Sequence, residues 1–323
     1  MTRQDVRRVL VTGGAGFIGA HVVARLRADG HEVRVLDDLS VGTRDRVPDD
    51  VPLLVGDVRD PRQCAEAVEG VDAVVHLAAK VTVRASVDTF VEDADVNLLG
   101  TLRLIAACQH AGVRRVVMAS SMAVYADGVA GCPVDEAHPT NPLSPYGVSK
   151  LAAERIGAQV LALSGIPFTA LRFFNTFGGG QTYTPYVGVA TIFATRLLKG
   201  EPIAIFGDGL QERDFVHVQD VADAVAASLD APAGTYNIGS GVGTSVNALA
   251  GMLIERLAPG TTPAYLPAHP AEVRHSVADI SAAQRALGYA SRRTLAGHLD
   301  EVIASVADRL GMRVPGRRSV DIT

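Results

Sequence analysis

Arg8-Val9-Leu10-Val11-Thr12-Gly13-Gly14-Ala15-Gly16-Phe17-Ile18-Gly19 carries the clearest architectural signal in the chain. Val9 to Val11 form a continuous apolar run, the pattern of a strand buried on both faces. The glycines at 13, 16 and 19 permit a tight turn and let backbone N–H groups approach a pyrophosphate. A helix over 17–28 opens directly after them and ends at Gly30, and its positive dipole end favours the same anion. Strand, glycine turn and helix in this order read as a dinucleotide site formed by Gly13, Gly16, Phe17, Ile18 and Gly19. The next strand, 32–36, runs into Asp37-Asp38. A carboxylate there accepts from ribose hydroxyls and repels a 2′-phosphate, so the expected cofactor is NAD and not NADP. Arg34 and Arg44 are the cations that stand against that choice.

The alternation continues through the first half. Strands are expected at 52–56, 73–77, 115–119 and 168–172, and helices at 61–69, about 87–110 and 146–164. Continuous apolar strands alternating with longer helical patterns describe an α/β fold, a Rossmann-type doubly wound parallel sheet. After Arg172 the pattern breaks: 175–190 is rich in Gly, Thr and Tyr and reads as a long loop. Strand and helix patterns return at 203–206, 216–229 and 246–257.

The chain has 323 residues, 48% hydrophobic and 20% charged, enough for one large domain or two intimate ones. A net charge of −5 gives no global attraction for nucleic acid or an anionic membrane surface. No stretch is apolar enough to span a bilayer, and the polar first eight residues suggest no signal peptide, so the expected address is cytoplasmic. Cys64, Cys108 and Cys132 are odd in number and far apart, and the nine histidines lack metal-ligand spacing, so no metal is expected.

Tyr146 and Lys150 stand four residues apart, on one face of a helix. A phenol with a pKa near 10 is a poor base at neutral pH, and a neighbouring ammonium favours its phenolate. Ser120-Ser121 follows the fifth strand and offers a hydroxyl partner.

With these blocks in place the chain resembles the extended short-chain dehydrogenase/reductase family, in particular its nucleotide-sugar epimerases and dehydratases. The glycine turn, Gly56-Asp57-Val58, His76-Leu77-Ala78-Ala79 and Asn97-Leu98-Leu99-Gly100-Thr101 carry the resemblance in the first half. Ser120 to Tyr125, Ser144 to Lys150, Leu171 to Asn175, Gly207-Asp208-Gly209, Arg213 to Val218, Tyr236 to Gly241 and Ala278-Asp279-Ile280 continue it. The resemblance implies that Asp57 and Val58 border the adenine and that Leu77, Ala78, Ala79 and Asn97 line the cofactor. It also implies a catalytic set of Ser121, Tyr146 and Lys150, the last two also touching the cofactor. Asn175 and Arg213 would hold a nucleotide-sugar diphosphate, Glu272 would lie near its ribose, and Ser121, Met122, His269 and Ser276 would face the substrate. The implied domains are an NAD-binding part over 1–172 with a return segment at about 206–235, and a nucleotide-sugar lobe over 173–205 and 236–315. A tail over 316–323 completes the chain, and the helices at 87–110 and 146–164 would pair two copies into a homodimer.

The family's shared first step oxidises the sugar at C4: Tyr146 as phenolate takes the O4 proton while hydride passes to NAD⁺. Related dehydratases place an acid and a base where this chain has Met122 and Ala123, and neither a thioether nor a methyl can move a proton. That favours 4-epimerisation over 4,6-dehydration. Between Phe173 and Arg196 there is no lysine or arginine to meet a sugar carboxylate, so the expected substrate is a neutral UDP- or dTDP-hexose. His269 stands where relatives carry an arginine for the diphosphate, with Arg274 as a candidate replacement. Ser276 stands at a position that gates sugar size, and a small residue there admits a bulky 2-substituent. Two other readings stay open: a dehydratase or net oxidoreductase of the same family, and a catalytically silent NAD-sensing protein on the same fold.

Overall fold

A computed structural model describes residues 7–81, 85–184, 188–268 and 273–314. The first half runs β1 (Arg8–Thr12), α1 (Phe17–Ala28), β2 (Glu32–Asp37), β3 (Leu53–Val55), α2 (Pro61–Val68) and β4 (Ala73–His76). It continues with α3 (Phe90–Ala94), α4 (Thr101–Ala111), β5 (Arg115–Ser121), α5 (Pro145–Leu163) and β6 (Phe168–Phe173). The second half begins with β7 (Asn175–Phe177), α6 (Val189–Leu198), β8 (Ala204–Phe206), β9 (Glu212–His217), α7 (Val218–Ser228) and β10 (Gly234–Ile238). It ends with β11 (Gly243–Ser245), α8 (Val246–Leu257), β12 (Ala264–Leu266), β13 (His275–Ser276), α9 (Ser281–Leu287) and α10 (Leu295–Leu310).

Seven parallel strands form the main sheet in the order β10-β6-β5-β4-β1-β2-β3. Successive side chains of β1 point to opposite faces. Val9 and Val11 therefore join one core with Val22, Val35 and Val225, while Leu10 joins the other with Leu36, Val74, Leu104 and Met118. Each such fully buried aliphatic side chain contributes about 1.5–3 kcal/mol. α1 packs against α7 over one face, and α2, α4 and α5 cover the other. The strand order reverses between β1 and β4, and in sheets of this kind ligands bind beyond the carboxyl ends of the strands at that switch.

The chain then builds a smaller lobe. β7, β11 and β13 all pair with β9, and β8 pairs with β12. This lobe has its own core, with Phe177, Phe193, Ile203, Leu253 and Leu299 among its members.

Three features differ from the sequence reading. The expected single helix over 87–110 is broken: α3 ends at Ala94, a π-helical stretch occupies Asp95–Gly100, and α4 starts at Thr101. Gly100 fits this wider turn because a Cβ there would lie 2.9 Å from Val58 Cγ2. The expected loop over 175–190 opens with β7, which pairs with β9, and closes as α6 begins at Val189. Finally, α6, α9 and α10 were not anticipated. α6 is apolar on nearly every side, which hides helical periodicity. α10 did carry a readable stripe, Leu295, Leu299, Val302, Ile303 and Val306. No described helix is long and apolar enough to cross a membrane.

Candidate active site

The glycine turn is shaped by contacts that exclude side chains. Gly13 has φ +71°, and a Cβ on it would stand 2.7 Å from the Ala78 backbone nitrogen. A Cβ on Gly19 would stand 2.0 Å from the Gly13 carbonyl oxygen. Gly16 caps α1 without any side-chain hydrogen bond, so the first N–H groups of the helix, at Phe17 and Ile18, face the crevice uncapped. A backbone cradle at a helix start fits a dinucleotide pyrophosphate.

Asp37 lies at the end of β2 and is buried; its carboxylate accepts from the backbone N–H of Ala15 at 2.9 Å and of Leu39 at 2.8 Å. Burial raises its pKa, and those two bonds oppose the rise. Asp38 is exposed and caps Ser40. The two arginines that opposed the NAD reading are engaged elsewhere. Arg34 donates to carbonyls of Glu66, Ala67 and Glu69, and Arg44 donates to that of Val47 at 2.6 Å. On the far side of the crevice, Asp57 pairs with Arg59 at 2.6 Å, which holds its pKa below the usual range, and Val58 is buried beside Gly100.

Behind the glycine turn runs a chain of hydrogen bonds. The Ala78 N–H donates to Thr12 Oγ1, which pairs with His76 Nδ1 at 2.7 Å. His76 Nε2 pairs with Thr101 Oγ1 at 2.9 Å, and Thr101 donates to the Asn97 carbonyl. Leu77 continues the strand pairing to Thr12, and Ala79 follows on the same wall. Asn97 is fully buried; its amide donates to the Lys80 carbonyl and to Asp93, and its oxygen accepts from the Lys80 N–H. It therefore fixes the Lys80 backbone with every polar atom committed.

The catalytic candidates meet where β5 ends and α5 begins. Ser121 closes β5, and its Oγ accepts from the Ala123 N–H in a short turn over Met122–Val124. Ser144 caps α5, with Pro145 in its first turn. A Cβ on Gly147 would lie 2.2 Å from the Ala123 carbonyl, so that glycine lets α5 close on the Met122–Val124 turn. This brings the Tyr146 hydroxyl into hydrogen-bond contact with Ser121. Tyr146 and Lys150 are both buried.

Burial dominates the electrostatics of the pair. Burial pushes Tyr146 up to about 12, only partly offset by the Ser121 hydrogen bond. The Lys150 ammonium donates to the Ala119 carbonyl at 3.0 Å, and burial lowers its pKa to about 8. For both side chains burial is the largest cause, since it disfavours the charged form. Asp93, which the sequence reading passed over, is fully buried on α3, accepts from Ser149 Oγ at 2.8 Å and acts on Lys150 through its charge. Its position four residues before Asn97 was the available signal.

Among the residues expected to meet substrate, Asn175 starts β7, and its buried Oδ1 has no partner among the described residues. Ser276 is buried with its hydroxyl likewise unpartnered, and its register opposite Arg213 places both in the small sheet. Met122, Phe174, His275 and Ser276 border a small cavity of about 10 Å³. Arg213 donates to the Glu212 carbonyl, and the next residue, Asp214, is fully buried. Asp214 accepts from Ser240, Gly241 and Ala278, which ties three segments to β9. The Arg274 guanidinium pairs with Asp208 at 2.8 Å on the exposed rim of the small lobe. His269 and Glu272 lie outside the described residues. Among the described residues no group of three or more His, Cys, Asp or Glu could hold a metal ion.

Residues 9–239 match the model of the NAD dependent epimerase/dehydratase family. The UDP-glucose 4-epimerase of Mycolicibacterium smegmatis is 37% identical over 298 residues, covering 90% of this chain and 95% of that protein. The crystal structure of UDP-glucose 4-epimerase from Thermotoga maritima with UDP-glucose superposes with a TM-score of 0.90 at 33% identity, covering 94% of this chain and 99% of that one. MoeE5, solved with NAD and UDP-glucose, has a TM-score of 0.81 at 38% identity, covering 94% of this chain and 99% of that one. A second MoeE5 complex holds NAD and UDP-glucuronic acid, with a TM-score of 0.82 over the same coverage. The fingerprint turn, the Asp37 carboxylate, the Ser121–Tyr146–Lys150 grouping and these similarities together place the chain in the NAD dependent epimerase/dehydratase family.

Proposed function

We propose that the protein is a nucleotide-sugar 4-epimerase acting on a neutral UDP- or dTDP-linked hexose through a transient 4-keto sugar. The observation that carries this reading is the pairing of an assembled Ser121–Tyr146–Lys150 group with Met122 and Ala123 as its neighbours. When bound, NAD⁺ supplies the hydride acceptor and a positive ring beside the phenol. Tyr146 takes the O4 proton, Ser121 donates a hydrogen bond that favours the phenolate, and Lys150 holds positive charge nearby. Met122 and Ala123 can neither remove a C5 proton nor protonate a leaving hydroxyl, so the 4-ketose has no route to dehydration here. Taking hydride back on its other face gives the C4 epimer.

Charge supports a neutral sugar. Arg196 pairs with Glu201 near the surface, and Lys80 pairs with Glu92. Neither is directed at a C6 carboxylate, and burying a carboxylate without a partner is costly. Asn175 and Arg213 are proposed to hold the diphosphate, together with His269 and Glu272, and Ser276 leaves room at C2. The relatives' UDP-sugars favour uridine as the base. The proposed division gives 1–172 with the return segment at about 206–235 to NAD, and 173–205 with 236–315 to the nucleotide sugar. The proposed assembly is a homodimer.

Replacement of Tyr146 with Phe tests the reading. Turnover should fall about 10²–10⁴-fold while NAD stays bound. Undiminished epimerisation in that variant would overturn it.

A further inference from the structure

We infer that Asp93 is a positioning residue for the catalytic pair: a buried carboxylate that braces the Lys150 turn through Ser149 and keeps the Lys150 side chain charged inside the fold. The inference rests on the proposed roles of Tyr146 and Lys150.

The geometry is that of a built site. Asp93 has no exposed surface, and α3 offers it no local reason to be buried. Both carboxylate oxygens are used: one accepts from Ser149 Oγ at 2.8 Å, the other from the Asn97 amide at 3.0 Å. Ser149 immediately precedes Lys150 on α5, and Asn97 clamps the Lys80 backbone on the cofactor wall. One carboxylate therefore joins the helix that carries the catalytic lysine to the strand end that borders the cofactor.

The chemistry gives that carboxylate a task. An ammonium has three donors, and buried among neutral groups it tends to lose its proton. Lys150 is 1% exposed, and its described hydrogen bond is to a neutral carbonyl, that of Ala119. The charged or titratable groups facing it are few. His76 on β4 is neutral, Tyr146 lies one turn back on α5, and Asp93 on α3 supplies the negative charge that raises its pKa. Facing Asp93 are Ser149, Asn97, Lys150, Tyr146 and Lys80, the last itself paired with Glu92. The charge of Asp93 also pushes the Tyr146 phenol up, so its service to catalysis runs through Lys150.

The chain has three lysines, Lys80, Lys150 and Lys199, which makes a direct test practical. In protein labelled with [ε-¹³C]lysine, three resonances are titrated by NMR and assigned with Lys80→Arg and Lys199→Arg. The Lys150 midpoint should lie near 8 in the native chain. In Asp93→Asn it should fall by a pH unit or more, and in Asp93→Glu it should return toward the native value. The alkaline limb of kcat should move down by the same amount in Asp93→Asn, with KM for the nucleotide sugar changed less than twofold. A Lys150 midpoint unmoved in Asp93→Asn would overturn the inference, as would a loss of kcat that is equal at every pH. The lysine titration needs no turnover, so it reads Asp93 even if Tyr146→Phe shows the catalytic reading to be wrong.

Discussion

His76 stands at the end of β4 with both ring nitrogens engaged, one by Thr12 and the other by Thr101. Thr101 donates to the Asn97 carbonyl, so it accepts from His76, and the histidine carries its proton on Nε2 and accepts on Nδ1. That arrangement holds only for the neutral ring. Burial keeps its pKa at about 3, against 6.5 for a free histidine. Between those values the unfolded chain binds a proton that the folded chain refuses. The contribution of His76 is thus complete above about pH 6.5 and is lost as pH falls toward 3, by about 1.4 kcal/mol per unit. Urea unfolding at pH 7 and about 5.5 should show the native chain losing about 1.4 kcal/mol more than His76→Gln. Equal losses in both proteins would contradict this. Single residues were unevenly legible. The spacing of Tyr146 and Lys150 could be read locally, whereas Asp93 acquires its meaning from Ser149, 56 residues away.

Among elements, α3 and α5 present an apolar surface that no described residue of the single chain covers. Phe90 and Val91 on α3, and Val148, Ile156 and Leu163 on α5, are exposed, the last at 84%. The α5 residues recur at spacings of eight and seven, along one side of the helix. Exposed apolar stripes of this kind mark association surfaces. Light scattering should give the mass of two chains for the native protein, and Val91→Asp with Leu163→Asp should shift it to one. A native mass of one chain would contradict the homodimer. The same region shows why element boundaries were harder to read than element types. The apolar pattern over 87–110 predicts a helix, but the π-helical stretch at Asp95–Gly100 arises from Asn97 turning inward and Gly100 meeting Val58, neither of which is a local signal.

At the scale of the molecule, most of the large sheet is legible because its strands are continuous apolar runs, and β1, β3, β4 and β5 each lead into a helix. The small lobe is not. β7, β9, β11 and β13 have two to six residues each and come from widely separated stretches. No periodicity can develop in segments that short, so their pairing emerges only when Asp214 gathers Ser240, Gly241 and Ala278 around β9. The resulting body sets the Gly13–Gly19 turn and Asp37 beside Ser121, Tyr146 and Lys150 at one end of the sheet, with Asn175, Arg213 and Ser276 supplied by the second lobe. In the proposed function this end of the molecule oxidises a sugar at C4 and returns the same hydride to the opposite face. The most direct measurement uses a UDP-hexose deuterated at C4, incubated with the protein and catalytic NAD⁺ and followed by NMR, with neutral, N-acetylated and uronic sugars compared. A neutral hexose should interconvert between C4 epimers, both keeping deuterium at C4, with no accumulation of NADH. Loss of the label, stoichiometric NADH, a persistent 4-keto-6-deoxy product or turnover confined to the uronic sugar would contradict it.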